Sequence, residues 1–317
     1  MAIAASLFAT LEVFWRLNGH NPAIVDDQRL WSIERSKIGQ SGQQIALLGS
    51  SRMETDISTA MLRRLNPHRE IINLSVSATC ANATLRDLAR DPRFNGTVIM
   101  ETSSECLMFG DNPELSQQSH VDYYHRVFNL NAKANRIIAT FFQNKLAMID
   151  PYLNLIKVAG DRILKHKWRA PNYVTKHEDR SSSADYTKLD ISHHKAIRLK
   201  KVTEHYTKLS PFISVSLLEE KIGTINQDVK KIQNRGGQVA FVRFPVSGEH
   251  WIIDEKYFPR NIYWDPFIPL TSAKFIHFKD IDGINKMQCP DTSHLDMRDT
   301  PEFTMLLVNE LVRNSLL

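Results

Sequence analysis

The chain has 317 residues, 42% apolar and 24% charged, which excludes a disordered polar chain and allows one large domain or two small ones. Its formal net charge of +5 and pI near 9.0 are only mildly basic. The Lys and Arg residues form no stripe interleaved with aromatics, so no nucleic-acid partner is expected. The densest group, His193 to Lys201, reads as a solvated helix face, one that could also lean on an anionic lipid or acidic polysaccharide surface. Cys80, Cys106 and Cys289 are odd in number, far apart and without a CxxC pair. They support no zinc or redox motif, no metal or cofactor is expected, and each reads as a small buried residue.

Taken in order, the chain opens on an apolar segment, 1–17. Its run from Ala2 to Trp15 is shorter than the ~20 residues that span a bilayer, and it has neither a basic start nor a small-x-small site. Leu7, Phe8, Leu11, Val13, Phe14 and Trp15 cover more than one helical face, which favours a shortened or interfacial membrane anchor over an amphipathic helix packed on the domain. Residues 18–41 read as a connector punctuated by Gly, Asn, Pro and Asp, broken by Leu30 to Ile33.

Residues 42–317 read as one α/β domain. Gln44 to Leu48 is a short apolar run that stops at Gly49-Ser50-Ser51. A helix follows over Asp56 to Leu65, with Asp56 near its N-cap. Glu70 to Leu74 is a second strand running into small residues, Ser75 to Thr79, and then a helix from Ala81 to Ala89. Thr97 to Glu101 is a third strand, again running into Thr102-Ser103-Ser104. Three strand–loop–helix units in a row predict a parallel sheet with right-handed crossovers and all three loops at one edge.

The alternation then stops for a helical insertion at about 113–235, suited to a substrate cover or to a packing module without chemistry. Within it, Asn131 to Leu164 is helical with an interruption at Asp150-Pro151, Lys165 to Asp190 reads as a polar loop, and Val215 to Arg235 is a helix ended by Gly236-Gly237. Gln238 to Phe244 and Lys274 to Phe278 are the fourth and fifth strands, and Thr300 to Leu317 is a closing amphipathic helix.

Two motifs carry chemistry. In an open α/β sheet, ligands bind at the carboxyl ends of the strands. A serine in the turn after the first strand has helix-start N–H groups beside it, able to bind a developing oxyanion. Asp291-Thr292-Ser293-His294 follows the fifth strand, and an Asp three residues before a His can hold one ring N–H and leave the other nitrogen free to take a hydroxyl proton. A phosphate site at Gly49-Ser50-Ser51 would lack both a Walker lysine and a Gly-x-Gly-x-x-Gly run.

With both motifs in place the chain resembles the SGNH, or GDSL-like, esterases and acyltransferases, over about residues 42–110 and 238–317. In that family the first strand ends in Gly-Asp-Ser and an Asp-x-x-His lies near the C-terminus. The resemblance implies a three-layer αβα sandwich on a mostly parallel five-stranded sheet of flavodoxin-like type. It implies Ser51 as nucleophile, with Ser50 in place of the motif's Asp, and Asp291 and His294 as its partners. Ala78 stands at the family's glycine, so the oxyanion donors would be the N–H groups of Ser51 and Ala78. The family's third motif, Gly-x-Asn-Asp, is replaced by Glu101 to Glu105. Ser103 or Ser104 would have to stand in for the Asn, or that donor is missing, a loss worth about 3–4 kcal/mol of barrier.

Ser-Ser-Arg with an apolar N-terminus is similar to the extracytoplasmic branch, which implies a membrane-anchored protein of the bacterial cell envelope. The implied function is that of a serine esterase or O-acyltransferase acting on acyl, chiefly acetyl, esters of a cell-surface or exported polysaccharide. The alternative is a catalytically degraded relative that binds glycans or serves assembly at the membrane. Arg52 and Arg243 are then candidate contacts to substrate carboxylate or sugar oxygens, against the plainer role of structural ion pairs. His250 and Trp251 stand as a sugar platform or a packed aromatic pair.

Overall fold

The computed structural model describes residues 1–41, 43–164 and 166–317. Gly42, at the expected start of the α/β domain, and Lys165, the first residue of the expected polar loop, lie outside the described residues. Helices α1 (Ala2–Leu17) and α2 (Gln28–Ser36) precede β1 (Gln44–Leu48). Then come α3 (Ser51–Asp56), α4 (Thr59–Leu65), β2 (Glu70–Asn73), α5 (Asn82–Arg90), β3 (Thr97–Glu101) and α6 (Ser104–Phe109). The insertion holds α7 (Gln118–Arg126), α8 (Leu130–Gln143), α9 (Leu155–Leu164), the short strands β4 (Val174–Lys176) and β5 (Ser182–Ala184), α10 (Ile191–Leu209) and α11 (Val215–Gln233). β6 (Gln238–Arg243), α12 (Glu249–Tyr257), α13 (Arg260–Tyr263), β7 (Lys274–His277) and α14 (Thr300–Arg313) follow.

The central sheet has the order β2-β1-β3-β6-β7 with every pair parallel. Its winding reverses between β1 and β3, the place in such sheets where ligands bind outside the carboxyl ends. All five residues of β1 and of β3 are buried, as expected of parallel strands covered on both faces. The two-residue period of a strand divides them between the layers. Ala46 and Leu48 join Trp31, Leu85 and Val229 on one side, while Ile45 and Leu47 join Phe303, Leu307 and Leu311 on the other. This is the expected three-layer α/β architecture.

Four local expectations need correction. The 18–41 stretch is not a plain connector: Asp27 caps α2 by accepting the Leu30 N–H, and α2 buries Leu30, Trp31 and Arg35. The Trp31 indole donates to the Leu74 carbonyl at 3.0 Å, and Arg35 pairs with Asp87 at 2.5 Å and Asp91 at 3.0 Å. Asp56 does not cap a helix; it ends α3, and Ser58 caps α4 through the Met61 N–H. The polar stretch after α9 holds the antiparallel β4–β5 hairpin, with Val174 opposite Ala184. Polar side chains concealed this hairpin, because what it buries is charge: Arg180, 1% exposed, bonds Asp26 and the carbonyls of Asn73 and Ser75.

The fourth correction concerns cysteine. Cys80 and Cys106 are joined in a disulfide, with Cα atoms 5.3 Å apart. It ties the loop after β2 to α6, two of the three loops at the carboxyl edge. Cys289 is the buried free thiol, its pKa pushed well above the ordinary value by burial.

Trp31→Ala should destabilise the protein by about 3–5 kcal/mol in urea unfolding, because it removes a fully buried indole from the core. A true connector residue would cost a few tenths. Cys106→Ser should cost about 3.5 kcal/mol, the loop-closure value for a 26-residue separation, and reductant should lower the wild-type melting temperature but leave this variant's unchanged.

Candidate active site

Gly49 ends β1 with φ +150°, and a Cβ there would lie 2.8 Å from the Glu101 Cβ and 2.9 Å from its Oε2. Glycine is therefore required by both the backbone and the space. Ser50 caps α3, its hydroxyl oxygen accepting the Arg52 N–H at 3.3 Å. The N–H and hydroxyl of Ser50 both donate to Glu101 Oε2 at 2.8 Å. These bonds place Ser51 as the first residue of α3, where its own N–H has no intrahelical acceptor.

The two distant motifs meet. Ser51 Oγ lies 2.8 Å from His294 Nε2, and His294 Nδ1 lies 3.0 Å from Asp291 Oδ2. A carboxylate can only accept, so Nδ1 carries the hydrogen and Nε2 is left as the acceptor for the Ser51 hydroxyl. Asp291 Oδ1 accepts the N–H groups of Ser293 at 2.9 Å and His294 at 2.8 Å, so the loop wraps its own acid. Thr292 sits at φ +76°, a costly conformation for a β-branched residue, on the order of 1–3 kcal/mol. Ser247 holds it there by donating its N–H to the Thr292 carbonyl at 3.0 Å and its hydroxyl to the Cys289 carbonyl at 3.1 Å.

The electrostatics set the base. Burial lowers the His294 pKa, the Asp291 bond and charge oppose this, Arg198 and Arg52 lower it further, and the net is a shift below the ordinary imidazole value. For Asp291, burial alone would raise the pKa. The His294 bond and charge together with Arg198 outweigh burial, so the carboxyl stays ionised well below the usual range. Asp56 lies behind the histidine loop, accepting the Leu295 N–H at 3.0 Å, and burial raises its pKa well above the usual carboxyl value.

Other expected site residues fall elsewhere. Ala78 has φ +59°, in the left-handed region that favours glycine. Ser104 turns its hydroxyl to the Tyr263 carbonyl at 2.8 Å, and Ser103 caps α6 through the Cys106 N–H, so neither hydroxyl serves as the Asn replacement. Glu105 points away, to His205 Nε2 at 2.5 Å. Arg52 is a brace: its Nε donates to the Ser293 carbonyl at 3.2 Å and its Nη1 lies 3.5 Å from Glu101, linking the nucleophile turn to the histidine loop. Arg243 is buried against Asp254 and the Phe244 carbonyl. His250 is buried, its pKa lowered to about 3 chiefly by burial, and Trp251 packs on His277 and Phe278. No sugar platform forms from that pair.

Three contributors were not read from the sequence. Arg198 of α10 lies 2.9 Å from Asp291 Oδ2, the same oxygen that meets His294. Tyr186, before α10, lies near Asp291, and burial together with that charge raises its hydroxyl pKa. Both come from the insertion, where no motif marks them. Gln117 is a third brace, its amide donating to the Gly49 carbonyl at 2.9 Å and to Thr79 at 3.0 Å.

No family model matches the chain, and no curated protein matches it. Among solved structures it is similar to TesA, at 11% identity and a TM-score of 0.38 over 87% of this chain and 100% of that one. It is also similar to a psychrotrophic esterase, EstA from Pseudoalteromonas sp., at 11% identity and a TM-score of 0.38 over 85% of this chain and 97% of that one. Likenesses this distant carry no functional argument; the geometry above does.

Arg198→Gln should raise the pKa of His294, since it removes a cation 2.9 Å from the carboxylate that supports the imidazolium. Imidazole NMR titration of the Ser51→Ala background should show the upward shift directly, without recourse to activity. An unchanged or lower value would mean that Arg198 does not act on the base.

Proposed function

We propose that the protein is a serine esterase or O-acyltransferase, of the SGNH type in its motifs, acting through Ser51, His294 and Asp291. The observation that carries this is the continuous run of contacts Ser51 Oγ–His294 Nε2–Asp291 Oδ2, at 2.8 and 3.0 Å, built from residues 243 positions apart. His294 takes the Ser51 proton as the hydroxyl attacks an ester carbonyl, and Asp291 steadies the imidazolium. The N–H groups of Ser51 and Ala78 bind the tetrahedral oxyanion. His294 then passes its proton to the leaving alcohol, leaving an acyl-enzyme. Water resolves it as an esterase; a sugar hydroxyl resolves it as a transferase.

The substrate read here is an acyl ester, chiefly acetyl, of a cell-surface or exported polysaccharide. The Cys80–Cys106 disulfide supports an oxidising, extracytoplasmic location in the cell envelope, because such bonds persist there and are rare in reducing compartments. The apolar α1 supports membrane association, although no described helix is long and apolar enough to cross a membrane.

A second reading has one observation in its favour. The third oxyanion donor has no replacement at Ser103 or Ser104, which fits a degraded relative that binds glycan without cleaving esters.

A fluorophosphonate probe should label the wild type and not Ser51→Ala. His294→Ala should lower kcat for p-nitrophenyl acetate hydrolysis by a factor on the order of 10⁶. Activity should fall as pH drops through the lowered His294 pKa, so the acid limb should lie below the ordinary imidazole value of about 6.5. Folded wild-type protein that takes no probe would favour the glycan-binding reading.

A further inference from the structure

Two parts of the chain expose large apolar side chains on one joined surface. In α1 only Trp15 is buried, and Leu7, Phe8 and Leu11 face solvent. The end of α8 exposes Phe141 and Phe142, and α9 exposes Ile156, Ile163 and Leu164 at 83%, 69% and 80%. These segments are tied together. Arg16 Nη2 donates to the Lys145 carbonyl at 2.7 Å, and Glu12 accepts the N–H groups of Ala147 and Met148 at 3.0 Å. Trp15 packs with Leu153 and Val158, and the Phe14 ring meets Trp168 at 5.1 Å. An apolar surface on this scale marks an interaction site.

Charge decides what covers it. Residues 130–169 carry eight Lys or Arg against two Asp; Arg136 is buried, while Lys157, Arg162 and Lys167 are exposed in and just after α9. Both Asp are engaged: Asp150 accepts the Tyr152 N–H, and Asp161 pairs with Arg169 at 2.7 Å. A second copy would set the same cationic excess against itself. Long cationic side chains around an apolar face instead match an anionic bilayer, where aromatic and aliphatic groups enter the acyl boundary and Lys and Arg reach the phosphates.

We propose that α1 together with the α8–α9 end of the insertion seats on the surface of an anionic lipid bilayer. This deepens the membrane association read above by naming its surface and its lipid chemistry, and it does not depend on esterase activity.

The test is co-sedimentation of full-length Ser51→Ala protein with vesicles of phosphatidylcholine alone and of phosphatidylcholine doped with phosphatidylglycerol, so that catalysis plays no part. The protein should pellet with the anionic vesicles and more weakly with the neutral ones. Phe142→Glu with Ile163→Glu should lower binding to both more than tenfold, with the circular dichroism spectrum unchanged. Lys157→Gln with Lys167→Gln should lower binding to the anionic vesicles about tenfold and leave the neutral arm alone. Because these lysines are exposed, this pair keeps the proposal testable should the apolar pair fail to fold. Protein that stays in solution with both vesicles overturns the proposal. So does equal binding by either variant, or a wild-type dimer that vesicles do not dissociate and the apolar variant abolishes.

Discussion

The site depends on how one buried carboxylate is surrounded. Asp291 gives one oxygen to two N–H groups of its own loop and the other to His294 and Arg198, with Tyr186 alongside. A buried charge is tolerable only when its lone pairs are used and a counter-charge is near, and here both conditions hold. The same set of bonds fixes the tautomer of His294 and turns its free nitrogen to Ser51. The strained Thr292 is the local cost of closing that loop, offset by the Ser247 contacts.

The nucleophile side is built on an analogous device. Glu101 sits where the third strand ends, and it holds both donors of Ser50 while meeting Arg52. The familiar Asp before the nucleophile is absent, yet the turn is anchored by a carboxylate that arrives from the neighbouring strand. Arg52 then connects this turn to the carbonyl of Ser293, so the nucleophile and base loops share a cation. That role explains why Arg52 is no free hand for substrate. Arg243, committed to Asp254, is withdrawn in the same way.

The sheet and the two motifs that meet at Ser51 and His294 were legible because they are short-range patterns: buried apolar runs ending in small residues, and an Asp-x-x-His. β1 and β3 have the bounds their apolar runs predict, and the other three strands stop one residue earlier. What escaped reading was long-range. Cys80 and Cys106 are 26 residues apart with nothing nearby to mark a pairing. The hairpin that carries Arg180 is polar because it delivers a guanidinium to backbone carbonyls, and polar periodicity looks like loop. Arg198 sits in a cationic run whose plainest reading is a solvated face, yet one member of that run reaches the site. In each case the partner lies on another element of the fold or is a backbone atom, and neither leaves a trace in local composition.

The place of Arg180 bears on what the segment between the third and fourth sheet strands is for. Its guanidinium bonds Asp26 ahead of the sheet and two carbonyls at the end of β2, the stretch that leads to Ala78. A further arginine of the same segment touches the triad acid. The segment is thus a keystone rather than a detachable roof. Grafting it onto another scaffold, or paring it away to reach a minimal sheet, would strip the second loop of its buried cation and Asp291 of its neighbour in one stroke.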